Sequence, residues 1–122
     1  MPRRSLIESM GYQIYGPIKF IKMLDFSKQR KSTIYFIFSE HNSLIKIGKS
    51  LDPRKRFLSL QSMIPTPIKL IAIIPEHYPD SEYQLHTRFR HLRVTGGWFQ
   101  DSEVIRQYII KELNKLHRRN IL

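Results

Sequence analysis

The sequence predicts an α+β domain in which a small central three-stranded β-sheet, antiparallel or mixed, is flanked by helices in the order ββαβαα. A run of β-branched and aromatic residues, 33–38, predicts a strand, and a second strand is predicted at 44–48 after a polar turn, so the two should form an antiparallel hairpin. A nearly continuous apolar run, 68–74, predicts a third strand, which we expect to lie centrally in the sheet. Apolar residues at helical spacing lie between and after these runs and predict the helices.

Capping signals indicate where the helices begin. Asp52 followed by Pro53 is typical of a helix start, because aspartate caps free backbone N–H groups and proline tolerates the first helical position. This helix should end before Pro65. Ser81 and Gln84 have the spacing of a capping box and predict the start of a second helix. The last helix is predicted from an apolar stripe with helical periodicity, formed by Ile105, Tyr108, Ile109, Leu113 and Leu116.

The length of 122 residues fits one domain. We place it at residues 32–117, after a basic N-terminal arm or cap (1–31) and before a basic tail (118–122). The chain has no cysteine, which excludes disulfides, thiolate catalysis and cysteine-ligated zinc. No apolar run approaches the ~20 residues of a membrane helix, and no secretory signal is evident. We therefore expect a cytoplasmic protein that makes no membrane contact.

The net charge is the most informative feature of the composition. Lysine and arginine total 21 against 10 acidic residues, which gives a net charge of +11 and a pI near 10.2. Such an excess favours binding to polyanions, because neutralising phosphates releases their counterions. We expect a nucleic acid, DNA or RNA, as the partner. A basic surface that serves only solubility would also explain the charge.

Five basic residues crowd the end of the second predicted strand and the start of the first helix. Lysine at a helix entry suits a phosphate group, since backbone N–H groups and the helix dipole add to its attraction. Charge alone supports a solvated basic face equally well. The candidates for nucleic-acid binding are Lys46, Lys49, Arg54, Lys55 and Arg56.

Three further side chains are candidates for catalysis. Tyr35 lies in the first strand, where a tyrosine is more often part of the core. Glu82 and His86 are four residues apart and therefore share one face of the second helix. A carboxylate and an imidazole at this spacing can bind a divalent ion or activate water. Taken alone, the pair is more often an ordinary surface pair.

In order along the chain, these residues resemble the GIY-YIG nuclease superfamily. Thr33-Ile34-Tyr35 stands about ten residues before Lys46-Ile47-Gly48. Arg56 follows on the first helix, and Glu82 falls where that superfamily carries its acidic residue. The similarity is to a phage-associated branch whose second motif reads Lys-Ile-Gly. Further short elements resemble the same branch: Leu60 with Gln61, Glu82 with His86, and Gly96-Gly97-Trp98-Phe99.

The resemblance implies a nuclease domain over residues 32–117 that hydrolyses phosphodiester bonds in DNA with one divalent metal, Mg²⁺ or Mn²⁺. Glu82 would hold the metal, and Arg56 would clamp the scissile phosphate. Tyr35 would contact or deprotonate the attacking water. A free tyrosine has a pKa of about 10, so either the basic cluster lowers the pKa of Tyr35 or the phenol only orients the water.

The remaining candidates have supporting roles under the same resemblance. Lys49 would supply positive charge, and Lys46 would replace the tyrosine of the second motif with a charge. His86 would be an alternative base or a partner of Glu82. The leading hypothesis is therefore a metal-dependent endonuclease. A non-catalytic nucleic-acid-binding module and a protein-interaction domain are the alternatives.

Overall fold

The computed structural model describes residues 31–77 and 79–118. The predicted arm (1–31) and tail (118–122) therefore fall almost wholly outside the described residues. Nine elements follow one another along the chain: β1 (Thr33–Ser39), β2 (Leu44–Ser50), α1 (Pro53–Met63), β3 (Lys69–Pro75), α2 (Glu82–Arg88), a 3₁₀ turn (Arg90–Leu92), β4 (Arg93–Thr95), β5 (Trp98–Gln100) and α3 (Glu103–Arg118).

The α+β class is confirmed, but the predicted number of strands is wrong. The sheet has five antiparallel strands in the order β3-β1-β2-β5-β4. Both additional strands, β4 and β5, have three residues each and flank the turn at Gly96 and Gly97. Segments this short carry too little alternation to be recognised by periodicity. Their pairing with β2 is a tertiary contact that local sequence does not predict.

Strand β3 lies at an edge of the sheet, so the central position predicted for it is wrong. It pairs with β1, and Ile34 lies opposite Ile74. Its residues from Leu70 to Ile74 are all buried, and α3 packs against the strand. The continuous apolar run therefore reflects a strand with both faces buried, and not a strand with a neighbouring strand on each side.

The strand register sorts side chains onto two faces of the sheet. Tyr35 lies opposite Gly48 and Ile37 opposite Lys46, so these residues share one face. Phe36 and the other alternate residues point to the opposite face, where α3 closes the core. The rings of Phe36 and Tyr108 lie 6.2 Å apart there. One face of the hairpin is therefore left to carry polar groups beside the core.

A buried polar network joins α2 to α3. Arg88 pairs with the Asp80 carboxylate, and the Tyr108 hydroxyl donates a hydrogen bond of 3.2 Å to Asp80 Oδ2. Lys115 Nζ lies 2.9 Å from the buried carboxylate of Glu112. Burial and the neighbouring carboxylates raise the pKa of Tyr108, which keeps its phenol protonated as a donor. The network fixes the C-terminal end of α2 against the longest helix of the domain.

Both predicted helix starts are confirmed. The Lys55 N–H donates to Asp52 Oδ1 at 3.1 Å, and Pro53 is the first residue of α1. The Gln84 N–H donates to Ser81 Oγ, and the Ser81 N–H donates back to Gln84 Oε1, which completes the capping box of α2. Within residues 31–77 and 79–118, no helix has both the length and the apolar character that crossing a bilayer requires.

Replacing Ser81 tests how much the capping box stabilises the domain. Ser81→Ala leaves a first-turn N–H of α2 without its acceptor, and we expect a loss of about 1 kcal/mol in the free energy of unfolding. Urea denaturation followed by circular dichroism measures it. Ser59→Ala, at an exposed position on α1, is the control and should change stability by less than about 0.5 kcal/mol. Equal effects of the two substitutions would contradict a capping role.

Candidate functional site

The ring of Tyr35 lies directly against the backbone of Gly48. A methyl group at Gly48 would lie 2.3 Å from both Cζ and Oη of Tyr35, closer than any real contact. The side chain of Tyr35 is only 2% exposed. Gly48 is therefore needed because no side chain fits beneath the ring of Tyr35.

Arg56 reaches the hydroxyl of Tyr35 from helix α1. Burial raises the pKa of the Tyr35 phenol, while the charge of Arg56 and its hydrogen bond to the phenol lower it, and the charge of Glu82 raises it. The balance is a raised pKa. Of the two roles open to Tyr35, the structure therefore disfavours that of a base with a lowered pKa, because the phenol keeps its proton at neutral pH.

Glu82 opens helix α2 and faces the same group of residues. Its charge acts on both Tyr35 and Lys46. Its side chain is half-buried, and among residues 31–77 and 79–118 its carboxylate has no hydrogen-bond or ion-pair partner. Both oxygens are thus available to a ligand. A single carboxylate together with substrate phosphates and water is an arrangement that Mg²⁺ accepts.

Lys46 is half-buried between the sheet and the β4–β5 turn. Its Nζ lies 5.5 Å from the centroid of the Trp98 ring, a cation–π contact. A methyl group at Gly97 would lie 3.0 Å from this Nζ, so the turn closes tightly around the ammonium. Burial lowers the pKa of Lys46 and the charge of Arg56 adds to the lowering, whereas the charge of Glu82 opposes it. Lys46 therefore loses its proton more readily than an ordinary lysine.

His86 connects α2 to the middle of the sheet. Its Nε2 donates a hydrogen bond of 2.7 Å to the backbone oxygen of Ile47, which requires the proton on that nitrogen. Its ring also meets Phe99 edge-on at 5.1 Å. Only Nδ1 is left to accept a proton. The imidazole therefore holds α2 against β2 through its contacts with Ile47 and Phe99.

The remaining basic candidates lie on the surface of the domain. Lys49, Arg54, Lys55 and Arg56 all have exposed side chains. Lys49 pairs in register with Ile34 near the end of β2, and the others occupy the first turn of α1. Of these four, Arg56 acts on Tyr35 and Lys46, and the charge of Lys49 acts on Glu76.

Sequence reasoning missed Glu76, which follows directly after β3. Its Oε2 accepts the backbone N–H of Glu82 at 3.0 Å. Burial works to raise the pKa of this carboxyl, but hydrogen bonds from the Glu82 N–H and the Ser32 side chain, together with the charge of Lys49, hold the pKa below its usual range. The signal that could have found it is an acidic residue at a strand end in a chain with 10 acids.

A second cluster of potential metal ligands lies apart from these residues. Atoms of His77, Asp80 and Glu112 lie within 4.8 Å of one another. Arg88 and Lys115 already face the two carboxylates of this cluster, which belong to the network between α2 and α3. We therefore assign the cluster a role in packing.

Comparison with known proteins identifies the family. The model of the T5orf172 domain matches residues 32–119, most of the chain. No curated protein and no solved structure matches the chain. The assignment to the GIY-YIG superfamily is therefore wrong, because the family that matches is a different one. The short motifs that suggested it, such as Lys46-Ile47-Gly48, are each too brief to distinguish one family from another.

Gly48→Ala tests the contact beneath Tyr35. We expect it to lower the free energy of unfolding by about 1–3 kcal/mol, because the ring must move to admit a methyl group. The same substitution in a Tyr35→Leu background should cost at least about 0.5 kcal/mol less, because the obstructing ring atoms are gone. Urea denaturation of the four proteins gives this coupling. An equal cost in both backgrounds would show that the ring is not what excludes a side chain at residue 48.

Proposed function

We propose that this chain, which belongs to the T5orf172 domain family, hydrolyses phosphodiester bonds in DNA with one divalent cation, Mg²⁺ or Mn²⁺. The T5orf172 domain is phage-associated, and a nucleic acid is the substrate that the charge of +11 favours. The observation that carries the proposal is the convergence of Tyr35, Lys46, Arg56 and Glu82 beside one face of the sheet. RNA is the alternative substrate.

Arg56 is the residue we assign to the scissile phosphate. Its planar guanidinium matches two phosphate oxygens and stabilises the charge that develops as the phosphorus is attacked. The contact with the Tyr35 hydroxyl holds part of the side chain in place before substrate arrives. Lys49, Arg54 and Lys55 would hold neighbouring phosphates on the exposed surface.

Tyr35 orients the attacking water rather than deprotonating it. Arg56 donates to the phenolic oxygen, which leaves the phenol O–H free to donate elsewhere. Because burial raises the pKa of Tyr35, this proton is retained at neutral pH. A hydrogen bond from a fixed phenol can set the position of a water or a phosphate oxygen.

Glu82 is the residue we assign to the cation. Its half-buried carboxylate has no hydrogen-bond or ion-pair partner in the part of the chain that the structure describes, and it stands beside the proposed phosphate site, which fits a hydrated Mg²⁺ or Mn²⁺. A bound cation would supply Lewis-acid stabilisation of the phosphate and the leaving oxygen. His86, one helical turn further along α2, keeps Glu82 at this place through its bond to Ile47.

Lys46 is the residue we assign to proton donation. A lysine with a lowered pKa is a better acid than an ordinary lysine, and an acid beside the leaving oxygen makes cleavage easier. Its ammonium is held by Trp98 and the Gly97 turn, within the electrostatic reach of Glu82.

A non-catalytic nucleic-acid-binding module is the second candidate function. The observation that favours it is the same proximity of Lys46 to Glu82. A lysine ammonium near a single carboxylate competes with a divalent cation for its negative charge. In that case the site would bind phosphates without cleaving them.

A cleavage assay with matched variants separates the two functions. Tag-free protein is incubated with labelled single- and double-stranded DNA and RNA, with Mg²⁺, with Mn²⁺ or with a chelator. We expect metal-dependent cleavage by the wild type, and a loss of about 100-fold or more in Glu82→Gln and in Arg56→Ala. Glu82→Gln should still bind DNA, since it removes a negative charge only.

Glu40→Gln, in the exposed hairpin turn, is the control and should cleave like the wild type. Undiminished cleavage by Glu82→Gln would indicate a contaminating nuclease and would contradict the role assigned to Glu82. Salt-sensitive binding with no cleavage under any metal condition would establish the binding module instead.

The pH dependence of cleavage tests Lys46. A general acid must be protonated, so the rate should fall as the pH rises through the pKa of Lys46, and the fall should begin below the pKa of an ordinary lysine, about 10.5. The arginine of Lys46→Arg stays protonated throughout that pH range, so the rate of this variant should be lower but should not fall there. Lys69→Arg is the control. A falling limb that is unchanged in Lys46→Arg would rule out proton donation by this residue.

A further inference from the structure

Glu76 joins three separate parts of the chain at the edge of the proposed site. Its Oε2 accepts the backbone N–H of Glu82 at 3.0 Å, and its side chain bonds that of Ser32 just before β1. The backbone N–H of Glu76 also donates a hydrogen bond of 3.0 Å to the backbone oxygen of Ser32. Its charge also acts on Lys49, near the end of β2. One carboxylate thus contacts or faces the start of β1, the end of β2 and the start of α2.

We infer that Glu76 is a positioning residue, which sets the Glu82 carboxylate and the Lys49 ammonium relative to one another. The inference rests on the proposed function, because it assigns to Glu82 the cation and to Lys49 a substrate phosphate. Glu76 itself touches neither. It acts through the residues that do.

Glu76 accepts its hydrogen bond from the backbone of Glu82, the residue that we infer it positions. Glu82 is the first residue of α2, and its N–H has no acceptor within the helix. Helix α2 has only seven residues, too few to hold its own geometry without outside contacts. The capping box fixes Ser81 and Gln84, and the bond from Glu76 fixes Glu82 itself. With the backbone held on both sides, the Glu82 side chain projects from a defined point.

The charge of Glu76 has a separate effect on Lys49. The Lys49 side chain is exposed, and a free lysine samples many rotamers. A carboxylate held at a fixed place attracts the Lys49 ammonium and so restricts those rotamers. The hydrogen bonds and the charge of Glu76 therefore act on different partners, and one substitution can separate them.

Glu76→Gln keeps an oxygen that can accept the Glu82 N–H, but it removes the charge that faces Lys49. Glu76→Ala removes both. We expect the Gln variant to keep kcat within about 3-fold of the wild type and to show a raised KM, since a less ordered Lys49 affects substrate binding. We expect the Ala variant to lose about 10–100-fold in kcat, the usual effect of losing a residue that orients a metal ligand.

Amide hydrogen exchange at Glu82 gives a readout that needs no activity. The exchange should be faster in Glu76→Ala than in the wild type, and close to the wild-type rate in Glu76→Gln. Glu40→Ala is the matched control and should leave exchange and kinetics unchanged. Thermal unfolding confirms that each variant is folded, and the Gln variant keeps the test open if the Ala variant is not.

The outcomes separate this inference from the proposed function. A wild type that cleaves no substrate removes the proposed function, while the exchange at Glu82 still decides whether Glu76 holds α2. An active wild type whose Glu76→Ala variant keeps both its kcat and its Glu82 exchange rate would overturn the inference. Equal losses of kcat in the Gln and Ala variants would also overturn it, because the hydrogen bond would then not be what positions Glu82.

Discussion

The packing of the Tyr35 ring against Gly48 is the constraint on which the proposed site depends. The two residues lie opposite each other across the β1–β2 hairpin, and the ring occupies the space of a side chain at residue 48. This places a phenol, rather than an apolar group, in the middle of the buried sheet. The hydroxyl then needs a polar partner, and Arg56 on α1 provides it. Arg56, in the first turn of α1, thereby connects this helix to the hairpin.

Electrostatics at the site follow from placing the Glu82 carboxylate among cations. The charges of Glu82 and Arg56 act on both Tyr35 and Lys46, in opposite directions. Burial then moves the two proton-bearing groups in opposite directions. It raises the pKa of Tyr35, which stays a donor, and it lowers the pKa of Lys46, which becomes a better acid. The same burial thus makes a fixed hydrogen-bond donor of one side chain and a candidate proton donor of the other.

Local features of the fold were predictable, and non-local features were not. The hairpin, the Asp52 cap and the Ser81 capping box depend on residues a few positions apart, and the structure confirms them. The edge position of β3 and the strands β4 and β5 depend on pairing between distant segments, which local patterns do not encode. Glu76 was missed for the same reason, since its partners lie in other elements. The family was misassigned because short motifs in order are compatible with more than one family.

The turn between β4 and β5 explains how Lys46 acquires a lowered pKa. Its Gly97 closes over the Lys46 ammonium on one side, and Trp98, opposite Lys46 in the β2–β5 register, lies beneath it on the other. A lysine on an open sheet would extend into water and keep its ordinary pKa. Here a strand too short to be predicted confines the ammonium and partly removes it from solvent. The two short strands therefore do more than widen the sheet, because they create the environment that gives Lys46 its altered acidity.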